Sequence, residues 1–207
     1  MAAPRDTDAG ADPGGIAGVV LAAGAGRRYG RAKVLVDEGD GPWGPRTAAL
    51  LSEAGCEPVL VVLGAEAAAA RMLFDGTTAR LIDNPDWATG MASSLRCAIE
   101  ALERGPSSVE AAVLMLVDLP EMTAGAVKRV MVAAGSDGLR NALFQASFDG
   151  VPGHPVLLGR NHWAGAAASA TGDNGARGYL STHPAQLVEV ADLAGGTDRD
   201  TPLNTRD

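Results

Sequence analysis

The residues with the clearest capacity for chemistry lie in one short glycine-rich segment near the start of the chain. Gly24, Gly26 and Gly30 alternate there with arginines, and Lys33 follows. Glycines lack the Cβ that holds a ligand away from the backbone, so successive N–H groups can form a nest for an anion. Arg28 and Lys33 add positive charge to the same segment. The pattern predicts a loop that binds a phosphate-bearing ligand, and the alternative is a solvated turn without a ligand.

Two well-known phosphate loops do not match this segment. A Walker A loop has a hydroxyl residue directly after its lysine, whereas Val34 follows Lys33. The dinucleotide fingerprint has two residues between its second and third glycines, whereas three residues separate Gly26 and Gly30. The spacing therefore disfavours a nicotinamide-dependent dehydrogenase.

Three aspartates could hold a divalent cation. Asp118 directly follows the most apolar run of the chain, residues 113–117, and ligands bind beyond the carboxyl ends of such strands. Asp198 and Asp200 are two residues apart, so their carboxylates point the same way in an extended segment. Hard cations prefer such oxygen ligands. The alternatives are that Asp118 caps the helix expected near Thr123 and that the two later aspartates are solvated.

Further polar side chains follow expected strands and could contact a substrate. Asn84 ends one strand, and Ser93 and Ser94 fall near the start of the next helix. Free N–H groups and hydroxyls at that position could bind a base, ribose or phosphate, although serines there also cap helices. His154 lies between a glycine and a proline at a loop rim, where structural histidines are less usual. Residues 172–177 form a second polar glycine turn.

The elements that must position these residues alternate between strands and helices. Helices are expected over residues 47–54, 64–73 and 124–134, and the breakers in residues 36–45 predict a surface loop. This alternation predicts βαβ units and a parallel sheet. Strands are expected at residues 16–21, 58–63, 79–82, 113–117, 142–148, 156–158 and 187–190.

Size and composition limit the function classes. The 207 residues fit one domain, and the formal charge of −8 argues against a nucleic-acid binder, which needs a basic face. No segment approaches ~20 consecutive apolar residues, so no membrane span is expected. Cys56 and Cys97 are far apart, which predicts reduced thiols in a cytoplasmic protein. The expected boundaries are a disordered lead at 1–15 without a signal peptide, a single domain at 16–202, and a tail at 203–207.

Six motifs in order resemble the MobA-like nucleotidyltransferase superfamily and, within it, the molybdenum cofactor cytidylyltransferases. The resemblance covers about residues 16–202. The motifs are Leu21-Ala22-Ala23-Gly24 with Arg28, Gly30 and Lys33; Asn84-Pro85 with Gly90-Met91 and Ser93-Ser94-Leu95; Asp118 with Pro120; Gly153-His154-Pro155; Gly172-Asp173 with Gly175-Ala176-Arg177; and Asp198, Asp200, Thr201 and Pro202.

The resemblance implies a Rossmann-like three-layer α/β/α fold with a mostly parallel, mixed sheet. It implies transfer of a nucleoside monophosphate from an NTP to a phosphorylated acceptor, with release of pyrophosphate. By this analogy Arg28, Lys33 and Asp118 are catalytic, and Asp118 holds Mg2+ with Asp198 or Asp200. The implied nucleotide-binding residues are Leu21, Ala22, Ala23, Gly24, Ala25, Gly26, Asn84, Ser93 and Ser94, and the implied acceptor-binding residues are His154, Asp173 and Arg177.

The resemblance also favours particular substrates. Guanylyl members tend to carry Leu-Ala-Gly-Gly, and the methyl of Ala23 narrows the base pocket, so CTP is expected; one methyl changes binding by only ~1–3 kcal/mol. The implied acceptor is molybdopterin, with a molybdenum hydroxylase as a candidate protein partner. Tyr29, Leu119 and Leu203-Asn204 depart from the family pattern. The alternatives are a nucleotidyltransferase for another acceptor, such as a sugar phosphate or methylerythritol phosphate, and a non-catalytic molybdopterin-binding chaperone.

Overall fold

A computed structural model describes residues 15–136 and 138–202. The predicted lead and tail fall outside these residues, apart from Gly15, which opens the first strand. The strands are β1 (Gly15–Leu21), β2 (Val59–Leu63), β3 (Arg80–Asp83), β4 (Val109–Leu116), β5 (Leu143–Phe148), β6 (Val151–Gly159) and β7 (Gln186–Glu189). The helices are α1 (Trp43–Glu53), α2 (Ala67–Met72), α3 (Met91–Glu103), α4 (Ala124–Ala134), α5 (Arg160–Ser169) and α6 (Arg177–Thr182).

The seven strands form one mixed sheet in the order β3-β2-β1-β4-β6-β5-β7. Strand β1 pairs in parallel with β2 and β4, β2 with β3, and β5 with β7. Strand β6 alone runs antiparallel to its neighbours β4 and β5. All five residues of β2 are buried, as expected for an inner parallel strand covered on both faces. The predicted mostly parallel, mixed sheet is confirmed.

Helices cover both faces of the sheet. Val20 and Val113 belong to the core beneath α1, α2 and α4, whereas Val19 and Leu114 belong to the core beneath α3, α5 and α6. Successive side chains of a strand point to opposite faces, so each central strand supplies both cores. The three-layer α/β/α fold is thereby confirmed. Within the described residues, no helix combines the length and the apolar character needed to cross a membrane.

Several elements differ from the sequence-based expectation. Strand β6 begins at Val151, so His154 lies within a strand and not at a loop rim. Helix α1 begins at Trp43, so the last part of the predicted surface loop is helical. Trp43 is buried and meets Tyr29 edge-on, and Pro45 is tolerated because it lies in the first turn. Helix α5 was not predicted. Its sequence is rich in small residues, and it buries mainly Trp163 and Ala166, so it lacks a strong amphipathic pattern.

Strands β1 and β4 are neighbours at the centre of the sheet, and the strands that follow each of them add to opposite sides of this pair. After β1 the sheet grows through β2 to β3, whereas after β4 it grows through β6 and β5 to β7. Open α/β sheets bind ligands beyond the carboxyl ends of the strands at such a switch point. The antiparallel strand β6 starts at this same edge, so its early residue His154 lies near the carboxyl end of β4.

Candidate active site

A cleft of about 500 Å³ opens at the switch point. Its walls come from the loop after β1, the segment leading into α3, the segment after β4, the turn before α6, and residues 198–200. The fold therefore brings together groups that are far apart in the chain. The predicted site residues that line the cleft are Leu21, Ala23, Gly24, Ala25, Gly26, Arg28, Lys33, Ser94, Asp118, Asp173, Arg177, Asp198 and Asp200.

The loop after β1 presents unpaired backbone donors. Gly26 has φ +58°, and a Cβ there would overlap the carbonyl oxygen of Arg31. Its own carbonyl accepts hydrogen bonds from the N–H groups of Tyr29 at 2.9 Å and Gly30 at 2.8 Å, which closes the turn. Among the described residues, none accepts a hydrogen bond from the N–H groups of residues 24–26. These groups are therefore available to an anion.

A cluster of opposite charges lies at the floor of the cleft. The Nζ of Lys33 donates to Asp118 Oδ2 and to Asp200 Oδ1, each at 2.7 Å. Arg28 Nη1 pairs with Asp200 Oδ2 at 2.6 Å. Burial opposes the charge on Lys33, but the hydrogen bonds to Asp118 and Asp200 outweigh it and raise the pKa of Lys33. The hydrogen bond from Lys33, partly opposed by burial, lowers the pKa of Asp200. Both groups are therefore charged at neutral pH.

The three predicted metal ligands fit a divalent cation. Asp118, Asp198 and Asp200 each offer a carboxylate oxygen, and these oxygens lie within 4.8 Å of one another. Asp118 Oδ1 is buried and has no hydrogen-bond partner among the described residues. Buried polar atoms are nearly always paired, so this oxygen, which faces no donor in the described part of the chain, is available to a ligand. Thr123 provides the side-chain cap of α4, so Asp118 does not serve that purpose.

Asn84 and Ser93 lie beside the cleft and do not line it. The Asn84 amide donates to Ser93 Oγ at 2.8 Å and to Ser94 Oγ at 3.0 Å, and its Oδ1 accepts from the N–H of Asp86 at 3.0 Å. Neither serine caps α3, because its N-cap is Gly90, which makes no side-chain bond. This buried network holds Ser94 at the cleft wall. Ala22 is likewise buried beneath the loop.

His154 lies in β6 and does not line the cleft. Burial, opposed by the charge of Asp118 and assisted by that of Arg177, lowers its pKa to about 4. The ring is therefore neutral at physiological pH and could donate or accept one hydrogen bond, depending on its tautomer. The antiparallel register of β6 on β4 places His154 beside the carboxyl end of β4, which Asp118 follows.

Two glycines allow the turn at residues 172–177, which is called the rim here, to pack closely against the start of α3. Gly90 has φ +111°, and a Cβ there would overlap the carbonyl of Gly172 and the carboxylate of Asp173. Gly175 packs against Met91 in the same way. The turn at residues 172–177 is thus held against the start of α3, which places Asp173 in the cleft wall.

The cleft also contains Trp87, which the sequence analysis did not single out. Trp87 packs so closely on Gly64 that a Cβ on this glycine would overlap the Cβ of the tryptophan. A tryptophan within a polar segment, between Asp86 and Thr89, is the sequence signal that could have indicated it. Glu66 supports the loop by accepting the N–H of Ala32 at 2.9 Å, and no local sequence pattern marks that contact.

The profile of the MobA-like NTP transferase domain matches residues 18–188. The chain belongs to the MobA-like NTP transferase family. The family resemblance drawn from the six motifs is confirmed, and the protein is a nucleotidyltransferase of MobA-like type. It is also 32% identical over 198 residues to nicotine blue oxidoreductase from Paenarthrobacter nicotinovorans, covering 90% of this chain and 92% of that protein.

Solved structures share the fold. The crystal structure of Rv0371c from Mycobacterium tuberculosis H37Rv is 27% identical, with a TM-score of 0.73, covering 92% of this chain and 94% of that one. A complex of Rv0371c with manganese is 25% identical, with a TM-score of 0.65 and 95% coverage of both chains. A protein with a similar fold has thus been crystallised with manganese.

Proposed function

We propose that this protein is a Mg2+-dependent nucleotidyltransferase that transfers CMP from CTP to the phosphate of a molybdopterin-type acceptor. An oxygen of the acceptor phosphate attacks the α-phosphorus of CTP, the bond to the bridging oxygen breaks, and pyrophosphate leaves. The observation that carries this proposal is the convergence of free backbone N–H groups, two cationic side chains and three aspartates in one cleft. Such transfers require positioning and charge compensation more than covalent catalysis.

The loop after β1 is the proposed triphosphate site. The free N–H groups of residues 24–26 can donate hydrogen bonds to phosphate oxygens, and Arg28 and Lys33 can compensate the phosphate charge. Both cations pair with carboxylates in the ligand-free protein, so binding of a triphosphate requires them to exchange those partners. Asp118, Asp198 and Asp200 are the proposed metal ligands. A bound Mg2+ would neutralise phosphate charge there, and the manganese complex of Rv0371c supports a divalent metal.

Different side chains of the cleft are proposed to contact the nucleoside and the acceptor. Leu21, Ala23 and Ser94 are the proposed nucleoside contacts, and Asn84, which also bonds to Ser93, holds Ser94 in place. The methyl of Ala23 at that wall supports a preference for the smaller cytosine ring. Asp173, Arg177 and His154 are the proposed acceptor residues, because Asp173 and Arg177 line the cleft and Arg177 can pair with a phosphate.

The choice of molybdopterin is supported by the order and identity of the six motifs. A molybdenum hydroxylase that receives the product is the corresponding proposed protein partner. The polar character of the rim at residues 172–177 suits a hydroxylated, phosphorylated acceptor, which a sugar phosphate would also satisfy.

The deciding experiment measures pyrophosphate release with each of the four NTPs, Mg2+, and molybdopterin with and without bound molybdenum. We expect release with CTP and the pterin. Release with GTP in place of CTP would overturn the base preference and keep the reaction. Release only with a sugar phosphate would overturn the acceptor. Folded protein that binds the pterin without releasing pyrophosphate would favour the chaperone.

A second candidate function is an oxidoreductase, and the identity to nicotine blue oxidoreductase carries it. In this case hydride would pass from a nicotinamide cofactor to an electron-accepting substrate, and the three aspartates would have no catalytic role. The spacing of the loop glycines argues against a conventional dinucleotide site. Oxidation of NADH or NADPH by a redox dye, followed at 340 nm and insensitive to Asp118→Asn, would favour this function over nucleotidyl transfer.

A further inference from the structure

The segment at residues 191–202 carries two of the three aspartates, yet it contains no helix or strand. Among the described residues from 195 to 202, the N–H of Arg199 makes the only backbone hydrogen bond to another backbone group, to the carbonyl of Asp118 at 2.9 Å. The part of the segment around Gly195 and Gly196 is held by close packing. A Cβ on Gly195 would overlap Glu121, and a Cβ on Gly196 would overlap Phe148. A backbone without a hydrogen-bond ladder depends on side chains for its position.

Arg199 is, together with Asp200, a side chain that anchors the far end of this segment. Its Nη1 donates to both carboxylate oxygens of Glu38, at 3.1 and 3.3 Å, and Glu121 lies 3.8 Å from Nη2. The two side chains are partly shielded from solvent, with side-chain exposures of 21% for Arg199 and 19% for Glu38. Ion pairs between exposed side chains contribute little, whereas hydrogen-bonded and partly buried pairs hold geometry.

Glu38 in turn is tied to the phosphate-binding loop. The hydroxyl of Tyr29 donates to Glu38 Oε1 at 3.2 Å, and the Tyr29 ring meets Trp43 edge-on with centroids 5.5 Å apart. Tyr29 directly follows Arg28, which pairs with Asp200. The contacts of Arg199, Glu38 and Tyr29 therefore connect the segment that carries two aspartates to the loop that carries the cations.

We infer that Arg199 is a positioning residue, which through Glu38 and Tyr29 holds Asp198 and Asp200 against the floor of the cleft. In an extended segment neighbouring side chains point to opposite sides, so Arg199 can bind Glu38 on one side while the two aspartates face the cleft on the other. The inference rests on the proposed function only in treating these aspartates as metal ligands. The physical role of the contacts among Arg199, Glu38 and Tyr29 does not depend on which substrate is used.

The first test measures Mn2+ affinity of the nucleotide-free protein by electron paramagnetic resonance. We expect Arg199→Met to weaken Mn2+ binding about tenfold, because groups that orient metal ligands commonly contribute about that much. The matched control is Arg129→Met. It breaks another arginine pair to the same segment, Arg129 Nη2 to Asp192 Oδ2 at 2.9 Å, and Arg129 does not line the cleft.

A double-mutant cycle between Arg199→Met and Glu38→Gln tests the route of the effect. If Arg199 acts through Glu38, the double variant binds Mn2+ no more weakly than Arg199→Met alone. Arg199→Lys, which keeps the charge, should recover part of the affinity. Fully additive losses, or equal Mn2+ affinities in Arg199→Met and Arg129→Met, would overturn the inference.

Hydrogen exchange separates failure of this inference from failure of the proposed function. We expect Arg199→Met to accelerate exchange of the residue 199 amide, which bonds to Asp118, while Arg129→Met leaves it unchanged. A wild-type protein that binds no Mn2+ would remove the proposed metal site, yet this exchange difference would still support the positioning role. Equal exchange in the two variants would refute it.

Discussion

Two carboxylates at the same edge of the sheet have opposite surroundings. Glu189 ends β7, and its oxygens accept hydrogen bonds from the N–H groups of Asp149, Gly150 and Ala191 and from the hydroxyl of Ser147, all at 2.9–3.1 Å. These bonds, mainly those from Gly150 and Ala191, lower the pKa of Glu189 to about 2. Its hydrogen bonds close the β5–β6 turn, so this carboxylate serves the fold.

Asp118, two residues beyond β4, is left incomplete. Its Oδ2 accepts from Lys33, and its buried Oδ1 has no partner within the described residues. A buried polar atom without a partner destabilises the fold, so such an atom is typical of a site that a ligand completes. The comparison teaches that satisfaction of the oxygens, and not position at the sheet edge, separates a structural carboxylate from one that is left open to a ligand.

The largest effect is expected for Asp118→Asn. We expect kcat/KM for pyrophosphate release to fall by about 100-fold or more, because an essential charge at the reacting phosphates is removed. The melting temperature should change little, since Asp200 still pairs with Lys33. The measurement combines steady-state kinetics with thermal unfolding. Turnover unchanged from wild type would remove Asp118 from the proposed metal site.

A smaller effect, a rise in Mn2+ affinity, is expected for Lys33→Met. Lys33 occupies oxygens of Asp118 and Asp200 in the ligand-free protein, so its removal frees them. We expect Mn2+ affinity without nucleotide to rise severalfold while turnover falls, because triphosphate charge is no longer compensated. Isothermal titration calorimetry with Mn2+ checks the affinity, and the rate of pyrophosphate release checks the turnover. Weaker Mn2+ binding in this variant would show that Lys33 does not compete with a metal.

The smallest effect is expected for Glu189→Gln, on stability alone. The folded-state pKa of Glu189 is lowered from 4.5 to about 2, so its contribution is fully present above about pH 4.5 and is lost as the pH falls towards 2. We expect the variant to melt at a lower temperature at neutral pH and to show a flatter pH dependence between pH 4.5 and 2. Glu103→Gln, at an exposed position, is the control. Parallel curves would contradict the assignment.

The fold was largely predictable where local signals agree. Helix α4 matched its predicted range because Thr123 caps it and Gly135 ends it with φ +67°. The helical start at Trp43 and the whole of α5 were missed. Both depend on burial of a tryptophan by distant elements, and this tertiary contact outweighs weak local preference.

The site was predictable in part for the same reason. The glycine loop, Asp118 and the Asp198–Asp200 pair stand out through residue type and spacing. Residue type and spacing do not reveal the contacts between these segments. Examples are the hydrogen bonds from Asn84 to the serines, the pairing of Lys33 with Asp118, and the ion pair of Arg199 with Glu38. Arg199 and Glu38 are 161 positions apart, and no local pattern marks them as partners.

By itself, the sequence determined the alternating strands and helices, the family, and the segments from which chemistry could come. These properties follow from residue type and short-range periodicity, which do not depend on contacts between distant segments. Only the tertiary structure decided which oxygens are satisfied and which are left open. That distinction depends on distances between segments remote in the chain, because a hydrogen bond forms only within about 3 Å.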